Sequence, residues 1–579
     1  MILSKLFNSK IPIFAIFFLG ILLRTIFLIQ VPPSMANDEI NIIINAQSLL
    51  HTGQNIPGVV TGILGKTSGN LGGGIHSEIS SWLIVPFIAI FGFSWPIVKL
   101  PFIFASLGVV CVSYLLVKRL IGREAGLIAA FLAAINPWSI FFARSGYESI
   151  FSAFFYLLAI YIVFSFKGWK ILWATPLFLA GLLSYFSAKT IMLPLALFTL
   201  ASARFISPKS SVKPALLVSL LLLTFLTIYL PLLSKSPAGV RFRELNDQNI
   251  QGVVNLKRTQ SLDFPLVEIY ENKYVEEIRH RTRAALGALS ANFLFQDGQP
   301  ESIPSLAISD HAPLYLIDLP LIVFGLVFLA RTNPGLLFTF LGFLVITLIP
   351  NFLNLQGTTY MIRTVILFPI LTLISAIGIY YLKNSFSLLS QRNLTYVAIF
   401  AVYLLFVGNF AIQYFSRLPI DRNEGWFLPD RVVAKYIKSS FDKNLGDITL
   451  VSATPKQTAY RYLLFNKLYN DTQSIKTTNA RFSQEDYSIG NLNIAGDCPD
   501  FTENTNLIVD TRIPCSQELR GSSIASIKDG RALYVITSDE LCRNYVSRHY
   551  PLIKDIDYLD IENLSIEDFC QNFLTDIKY

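Results

Sequence analysis

Residues 11–39 read IPIFAIFFLGILLRTIFLIQVPPSMANDE, an apolar run that ends in two prolines and then two adjacent carboxylates. Because about 20 helical residues cross the hydrocarbon of a bilayer, residues 11–31 are long enough to span it. Lys5 and Lys10 precede the run, as in a signal peptide, but the run is too long for such a peptide and lacks a small-residue cleavage site. We therefore predict an uncleaved first span with the two carboxylates directly beyond it.

The same pattern of long apolar runs and short basic connections continues along the chain of 579 residues. The sequence is 53% hydrophobic and only 15% charged, whereas a soluble globular protein has about 25% charged residues. The basic residues lie mostly in short loops near 118–123, 167–170, 204–213 and 383–392, as expected of loops that stay in the cytoplasm. No basic stripe with interleaved aromatic residues is present, so the net charge of +8 does not indicate a nucleic-acid partner.

Counting the crossings between these basic loops gives the predicted topology. The N-terminus is cytoplasmic, about 11 spans follow with some juxtamembrane helices, and the C-terminus lies outside the cell (plasma or inner) membrane. Residues 79–93 are short for a span, and we interpret them as an interfacial or re-entrant helix. The predicted fold class is mostly α, with a polytopic helical bundle over 1–416 and external loops at 32–96 and 234–312.

Residues 417–579 form a more polar tail, in which helical patterns such as 431–441 alternate with β-branched apolar runs. The runs are 448–451, 507–509 and 533–536. This alternation predicts a small extracytoplasmic α/β domain. Four cysteines in the tail suit disulfide formation outside the cytoplasm and leave the connectivity open. They are Cys498, Cys515, Cys542 and Cys570.

The adjacent carboxylates Asp38 and Glu39 carry the main chemical signal. Paired carboxylates at a membrane surface serve as a general base, as metal ligands, or as both. The alternative is structural: Asn37 or Asp38 caps a helix over 39–50, where acidic groups favour the positive end of the helix dipole. Residue types alone leave both interpretations open, with the cap slightly favoured.

Further polar side chains stand at the predicted outer ends of spans. An ionisable group at membrane depth costs about 2.5–3.5 kcal/mol, so it usually faces a partner or a cavity. Each alone is equally consistent with snorkelling to the headgroups, but together they suggest a site for an anionic lipid headgroup. Lys189 is the clearest case, because it has no acidic neighbour in sequence, whereas we interpret Arg24 and Lys99 as structural. The candidates are His76, Glu78, Arg144, Tyr147, Glu148, Lys189, His311 and Arg363.

The order of these features resembles the GT-C glycosyltransferases. A span with Arg24 near its end, followed by Pro32 and the carboxylate pair, is similar to the first external loop of the dolichyl-phosphate-mannose–protein mannosyltransferases (glycosyltransferase family 39) and the lipid A aminoarabinose transferases. The resemblance covers 11–205 well and 313–382 loosely. Further matching segments are 76–83, 91–93 with 99–101, 119–126, 143–148, the turn at Lys189 and 361–364. The family's juxtamembrane proline pair is absent, and Lys99 replaces its usual arginine.

The resemblance implies a hexosyl or pentosyl transferase that uses a sugar carried on polyprenyl phosphate. Asp38 then deprotonates the acceptor hydroxyl, which attacks the anomeric carbon with inversion. Lys189, Arg144 and Arg363 stabilise the charge of the departing lipid phosphate. The expected partners are the polyprenyl-phosphate-sugar donor, the bilayer, and a protein, lipid or glycan acceptor.

Two alternatives stay open at this level. A divalent metal is possible but not certain, since some GT-C enzymes use one and others do not. Asp38, Glu78 and His76 are the candidate ligands, and Glu39, Glu78 and His76 could instead orient the acceptor. The other function class is a transporter or flippase for a lipid-linked glycan. It predicts polar residues near mid-bilayer and often internal repeats; the sequence has few of the former and none of the latter.

Overall fold

The computed structural model describes residues 11–56, 77–206, 212–234, 250–262, 264–299, 304–308, 310–354, 359–364, 366–386, 388–498, 506–514, 519, 521–546 and 553–575. Helices make up most of the chain before the tail. They are α1 (Ile11–Thr25), α2 (Asn37–Thr52), α3 (Ser80–Phe91), α4 (Trp95–Leu120), α5 (Arg123–Ile135), α6 (Pro137–Arg144), α7 (Ser149–Ser165), α8 (Ala174–Ser184), α9 (Met192–Ile206), α10 (Val212–Ser234), α11 (Ile250–Thr259), α12 (Lys273–Gly287), α13 (Asp318–Thr332), α14 (Pro334–Thr347), α15 (Leu367–Asn384) and α16 (Leu389–Ala411).

Several of these helices are able to cross a membrane by length and composition. Five qualify among the described residues, and the pair α5 and α6, bent by 49°, makes a sixth if it is counted as one span. Four shorter apolar helices accompany them, among them α1 and α3. The chain is thus a multi-pass membrane protein. The predicted count of about 11 spans is not confirmed, because several of the predicted spans form helices that are short or broken.

Glycine allows two of the bundle helices to pack closely. A Cβ atom built on Gly378 of α15 would lie 1.9 Å from the carbonyl oxygen of Leu321 in α13, and one on Gly325 would lie 2.2 Å from the carbonyl oxygen of Ile374. Only glycine fits such contacts, and small residues commonly mediate close helix pairs in membranes. These two glycines therefore fix how close α13 and α15 come.

Arg24 connects α1 to the bundle, in agreement with the prediction that this residue has a structural role. Its guanidinium is fully buried and donates to the hydroxyls of Ser106 (2.7 Å) and Ser139 (2.9 Å) and to the carbonyl oxygen of Ala134 (2.9 Å). A charged group buried in this way needs such partners. The Arg24 side chain therefore joins α1, α4 and the bent pair of helices.

The tail contains a mixed six-stranded sheet, which confirms the predicted strands and the small C-terminal sheet. The spatial order is β2-β1-β3-β5-β4-β6; β1 is parallel to β2 and β3, and the remaining pairs are antiparallel. The tail elements are α17 (Leu428–Asp442), β1 (Ile448–Val451), α18 (Pro455–Phe465), α19 (Thr472–Ser483), β2 (Leu492–Ala495), β3 (Asn506–Asp510), β4 (Ser522–Ala525), β5 (Ala532–Ile536), α20 (Ile566–Phe573) and β6 (Leu574–Thr575). Strands β3 and β5 are almost wholly buried, as expected for a sheet covered by helices.

The tail cysteines that the structure describes form disulfides. Cys542 is bonded to Cys570, 28 residues later, and Cys498 is also disulfide-bonded. Cys515 lies outside the described residues. Since disulfides persist in oxidising compartments, the Cys542–Cys570 bond suits a tail that lies outside the cytoplasm.

Candidate functional site

Asp38 lies in the first turn of α2. The helix begins at Asn37 and its N-cap is Ala36, so neither Asn37 nor Asp38 is the cap that the residue types favoured. The Asp38 side chain is half-buried, and among the described residues no donor or cation is bonded to its carboxylate. The helix N-terminus stabilises a negative charge here.

Two buried tyrosines lie close to Asp38. Burial raises the pKa of Tyr147 and of Tyr185 above the usual tyrosine value, and the negative charge of Asp38 adds to both shifts. Tyr147, in the turn between α6 and α7, donates its hydroxyl to the carbonyl oxygen of Ser305 at 2.6 Å. Tyr185 directly follows α8. The start of α2 and two turns of the bundle thus meet at one polar site, which we call the Asp38 site.

Glu148 is a second carboxyl group of the Asp38 site. Burial raises its pKa to about 8, and the charge of Asp38 acts in the same direction. The backbone N–H of Ser77 lies 3.5 Å from the Oε2 atom of Glu148. Glu148 therefore holds a proton at neutral pH, which removes one negative charge from the neighbourhood of Asp38.

Glu39 is directed into the protein. Its carboxylate is fully buried and forms a 2.5 Å ion pair with Lys99, which also donates to the carbonyl oxygen of Arg144 at 2.7 Å. Gly146 packs against it with a φ of +65°, and a Cβ atom there would lie 2.5 Å from the Glu39 carboxyl carbon. Glu39 therefore joins α2 to α4 and to the turn after α6.

Lys189 has an acidic partner that sequence proximity did not indicate. Its ammonium lies 2.7 Å from the Oε2 atom of Glu78, and both side chains are almost fully buried. The hydroxyl of Tyr229, in α10, donates to the other oxygen of Glu78. The charge of Lys189 is thus balanced by Glu78 before any phosphate arrives.

The guanidinium of Arg144 is hydrogen-bonded to backbone carbonyl oxygens. Its guanidinium, fully buried, donates to the carbonyl oxygens of Phe27 (3.0 Å) and Val31 (2.7 Å) and lies over the ring of Phe415. The local ion pair with Glu148, which the sequence allowed, is not among its contacts. Arg144 therefore holds the chain segment between α1 and α2.

Arg363 reaches the Asp38 site from the other half of the bundle. It ends the short turn Met361–Arg363 that precedes α15, and its guanidinium lies 4.1 Å from the centre of the Tyr360 ring. Its positive charge also opposes the effect of burial on the pKa of Tyr185. Of the three cations predicted to meet a lipid phosphate, Arg363 thus acts electrostatically on Tyr185, and Lys189 acts in the same way on Glu148.

His311 is a packed aromatic ring. Its Nδ1 atom lies 2.6 Å from the carbonyl oxygen of Ala312, and the ring packs edge-on against Tyr315 and Phe410. Burial lowers the pKa of His311 to about 4, so the ring is neutral at pH 7. None of these contacts links it to Asp38.

The tail covers the start of α2. Arg461 of α18 donates to the side-chain oxygen of Asn37 and forms a 2.7 Å ion pair with Asp430. Arg431 of α17 donates to the carbonyl oxygen of Pro33 at 2.6 Å and lies over the ring of Trp95. Two buried arginines of the tail thus hold the segment that carries Asp38.

No protein-family model and no curated protein matches the chain. Several solved structures are similar to it, and two are described here. The archaeal oligosaccharyltransferase AglB from Archaeoglobus fulgidus, in complex with an inhibitory peptide and a dolichol-phosphate, is 12% identical, with a TM-score of 0.45 over 95% of this chain and 77% of that one. ArnT from Cupriavidus metallidurans, bound to undecaprenyl phosphate, is 11% identical, with a TM-score of 0.48 over 92% and 99%.

At these identities and TM-scores, the two similarities assign no role to a residue of this chain.

The described part of the site does not supply a metal ligand set. No group of three His, Cys, Asp or Glu side chains converges among the described residues. Of the candidate ligands, Glu78 is already bonded to Lys189 and Tyr229, and His76 lies outside the described residues. The reaction proposed below therefore uses side chains of the protein and no metal ion.

Several residues of the site were not predicted from the sequence. Tyr185 and Tyr229 are single polar groups within or next to apolar runs, and Arg461 comes from the tail, which lacks a recognisable motif. One signal was available: residues 149–243 contain no Asp or Glu, so any acidic partner of Lys189 had to come from outside that stretch.

Proposed function

We propose that the protein is a glycosyltransferase that moves a sugar from a polyprenyl-phosphate carrier to an acceptor hydroxyl, with Asp38 as the general base. One observation carries the proposal. Of the four carboxyl groups predicted for the site, Glu39 and Glu78 are in ion pairs, and burial raises the pKa of Glu148 to about 8. The half-buried carboxylate of Asp38 has no ion-pair partner among the described residues. A general base has to be charged and within reach of the proton that it removes.

The other three carboxyl groups are less suited to this role. Glu39 is buried against Lys99, and Glu78 is bonded to Lys189 and Tyr229. Glu148 holds its proton at neutral pH because burial raises its pKa to about 8. The geometry therefore favours Asp38 over its neighbour in sequence, a choice that residue types alone could not make.

The proposed reaction is a direct displacement with inversion. The acceptor hydroxyl gives its proton to the Asp38 carboxylate as its oxygen forms a bond to the anomeric carbon. The bond from that carbon to the phosphate oxygen breaks, and the electron pair leaves with the polyprenyl phosphate. Arg363 is the cation that we assign to the leaving phosphate, since electrostatic stabilisation of a developing charge is usually the largest catalytic contribution.

A neutral Glu148 supports the same chemistry. An anionic donor has to approach Asp38, and a second negative charge beside it would oppose that approach. With Glu148 protonated, Asp38 supplies the one negative charge needed to accept the proton. The buried tyrosines Tyr147 and Tyr185 add polar groups without adding charge.

The test is sugar transfer by the full chain in proteoliposomes that contain polyprenyl-phosphate hexose or pentose donors. Asp38→Asn keeps the shape of the side chain and removes the base, so we expect transfer to fall by about 10²–10⁴-fold, the usual contribution of a positioned base. Unchanged transfer by Asp38→Asn would remove Asp38 from the mechanism. Movement of the intact glycolipid across the bilayer, with no sugar released, would favour the transporter instead.

Glu39→Gln is the matched control at the adjacent position. Removing one partner of a buried ion pair costs about 3–5 kcal/mol, so this variant should unfold at lower temperature. Asp38→Asn should keep the wild-type melting temperature. Combining Glu39→Gln with Lys99→Met removes both charges and should recover part of the stability.

A further inference from the structure

A cavity lies at the other end of the bundle from the Asp38 site. It has a volume of about 240 Å³ and lies where the ends of α4, α7, α9, α10 and α14 meet. Lys99 and Arg119, near opposite ends of α4, are 20 residues apart, which is about 30 Å along a helix. The cavity is therefore separated from the Asp38 site by about the thickness of a bilayer core.

Three cations line this cavity, and we call it the cationic cavity. Arg119 enters from the end of α4, Lys167 from the loop after α7, and Arg204 from the last turn of α9. No Asp or Glu is among the described residues that line it. The described lining thus contributes three cationic side chains and no acidic side chain.

The neighbouring sequence also has few acidic residues that could balance the charge of these cations. Residues 149–243 contain no acidic residue. Glu124, at the start of α5, is an acidic group on the same end of the bundle, but its carboxylate is bonded to Lys383 (2.6 Å) and to the hydroxyl of Tyr396 (2.7 Å). An anion from outside the protein would therefore be attracted to the cationic cavity.

The rest of the cavity wall is largely apolar. Val163 and Ile171 line one side, and Leu200 and Leu336 line the other. Asn333 is the one uncharged polar side chain of the described lining, and its oxygen already accepts from the backbone N–H of Leu336. A ligand that fits this wall has an anionic end and an apolar body.

Exposed aromatic side chains mark the level of the headgroups beside the cavity. Trp169 and Trp173 are 62% and 71% exposed, and Phe205, next to Arg204, is 69% exposed. Tryptophan is enriched at the boundary between membrane and water, where its amphipathic ring is stable. The mouth of the cavity therefore lies where phospholipid phosphates are found.

We propose that the cationic cavity binds an anionic phospholipid, with the phosphate held by Arg119, Lys167 and Arg204 and an acyl chain along the apolar wall. Basic pockets between membrane helices on the cytoplasmic side favour such headgroups. A soluble phosphate compound has no acyl chain, so it would leave the apolar wall uncovered. The lipid site is independent of the proposed transferase reaction, because it lies at the opposite end of α4.

The test is native mass spectrometry of the full chain in detergent, titrated with phosphatidylglycerol or phosphatidylcholine. We expect phosphatidylglycerol to bind at least about tenfold more tightly. The triple variant Arg119→Gln, Lys167→Gln, Arg204→Gln should lose that preference. A matched triple variant, Lys118→Gln, Lys170→Gln, Lys213→Gln, removes the same charge from exposed residues outside the lining and should keep it.

Three outcomes would contradict the proposal that the cationic cavity binds an anionic phospholipid. Equal losses in the two triple variants would mean that diffuse surface charge attracts the lipid. Equal binding of the two lipids by the wild type would remove the preference itself. Inorganic phosphate that displaces phosphatidylglycerol at equal concentration would show that the apolar wall contributes nothing. Lys167→Glu, compared with Lys170→Glu, repeats the test with single exposed residues if the triple variant folds poorly.

Discussion

Two adjacent carboxylates of α2 have different surroundings because successive residues of a helix point about 100° apart. Asp38 faces the polar site, whereas Glu39 turns inward to Lys99. A dipeptide that looks like a pair of catalytic acids in the sequence thus consists of one half-buried carboxylate, the proposed base, and one buried counter-ion. The division depends on where the helix starts, and here Ala36 occupies the N-cap position.

Glu148 allows a pH test of the Asp38 site. Its raised pKa, about 8, means that it is neutral below that pH and charged above it. We expect wild-type transfer to decline as the pH rises through about 8, because a second negative charge then stands beside Asp38. Glu148→Gln mimics the protonated form, so it should keep near-wild-type transfer at pH 7 and lose this decline. The pH profile of transfer measures both effects.

The raised pKa of Glu148 also affects the stability of the folded state, which should fall as the pH rises. A buried acid whose folded pKa is raised destabilises the folded state as the pH rises from its unfolded pKa, about 4.3, to about 8. Glu148→Gln should therefore flatten the melting temperature across that window. A parallel fall in wild type and variant would assign the dependence to other groups.

Sequence alone located most of the charged residues near the site but could not pair them. The partner of Lys189 is Glu78, 111 positions earlier, and that of Glu39 is Lys99. Such pairings depend on how the helices pack, which periodicity does not encode. Tyr185 and Tyr229 were not predicted for a related reason, since a single hydroxyl group hardly changes the hydropathy of an apolar run.

At the scale of elements, the tail is attached to the segment that carries Asp38. Helices α18 and α19 pack against α2, the ring of Phe465 stacks on Trp95 with centres 5.8 Å apart, and Thr472 donates to the carbonyl oxygen of His51 at 2.9 Å. Arg461 contacts Asn37, the residue before Asp38. The tail therefore contributes to the position of the proposed base.

Arg461→Met tests this contribution. It removes the hydrogen bond to Asn37 and also the buried ion pair with Asp430, so we expect a lower melting temperature. At a temperature where the variant is folded, we expect turnover to fall about tenfold with little change in KM for the donor, a loss of about 1.4 kcal/mol in the transition state. Steady-state kinetics in proteoliposomes measure the two constants separately. Arg481→Met is the control, because Arg481 is exposed on α19 and bonds within the tail to Ser488. Equal loss in both variants would indicate general destabilisation of the tail.

The elements themselves were predicted unevenly. The strands at 448–451, 507–509 and 533–536 agree with β1, β3 and β5, because β-branched apolar runs form buried strands wherever they occur in the tail. The bend between α5 and α6 was not predicted, although Asn136 and Pro137 supply its cause: the Asn136 side chain accepts from the N–H of Ser139 and starts a new helix. Local composition determined the strands, whereas local breaks changed the span count.

The whole molecule has two polar ends of different character. The Asp38 site and the disulfide-containing tail lie at one end, and the cationic cavity lies at the other. The prediction that basic loops face the cytoplasm assigns the cationic cavity to the cytoplasmic side and the tail to the opposite side.

Cysteine labelling on intact cells checks this orientation. Single cysteines are placed at Gln484 in the tail and at Lys170 beside the cationic cavity, both exposed, in a chain that carries Cys111→Ala. A membrane-impermeant maleimide should label Gln484→Cys directly and Lys170→Cys only after the cells are permeabilised. The reverse pattern would invert the orientation, and labelling of both sites on intact cells would rule out a bilayer between them.

The contacts between the tail and the first external segment also set an order of events during synthesis. Arg431 and its partner Pro33 are 398 positions apart, and Arg461 and Asn37 are 424 apart. At about 5–20 residues per second, the ribosome adds 398 residues in about 20–80 s. Asp38 therefore enters the membrane system long before the domain that steadies it exists. A chain still attached to the ribosome therefore carries Asp38 before the contacts from Arg431 and Arg461 can form.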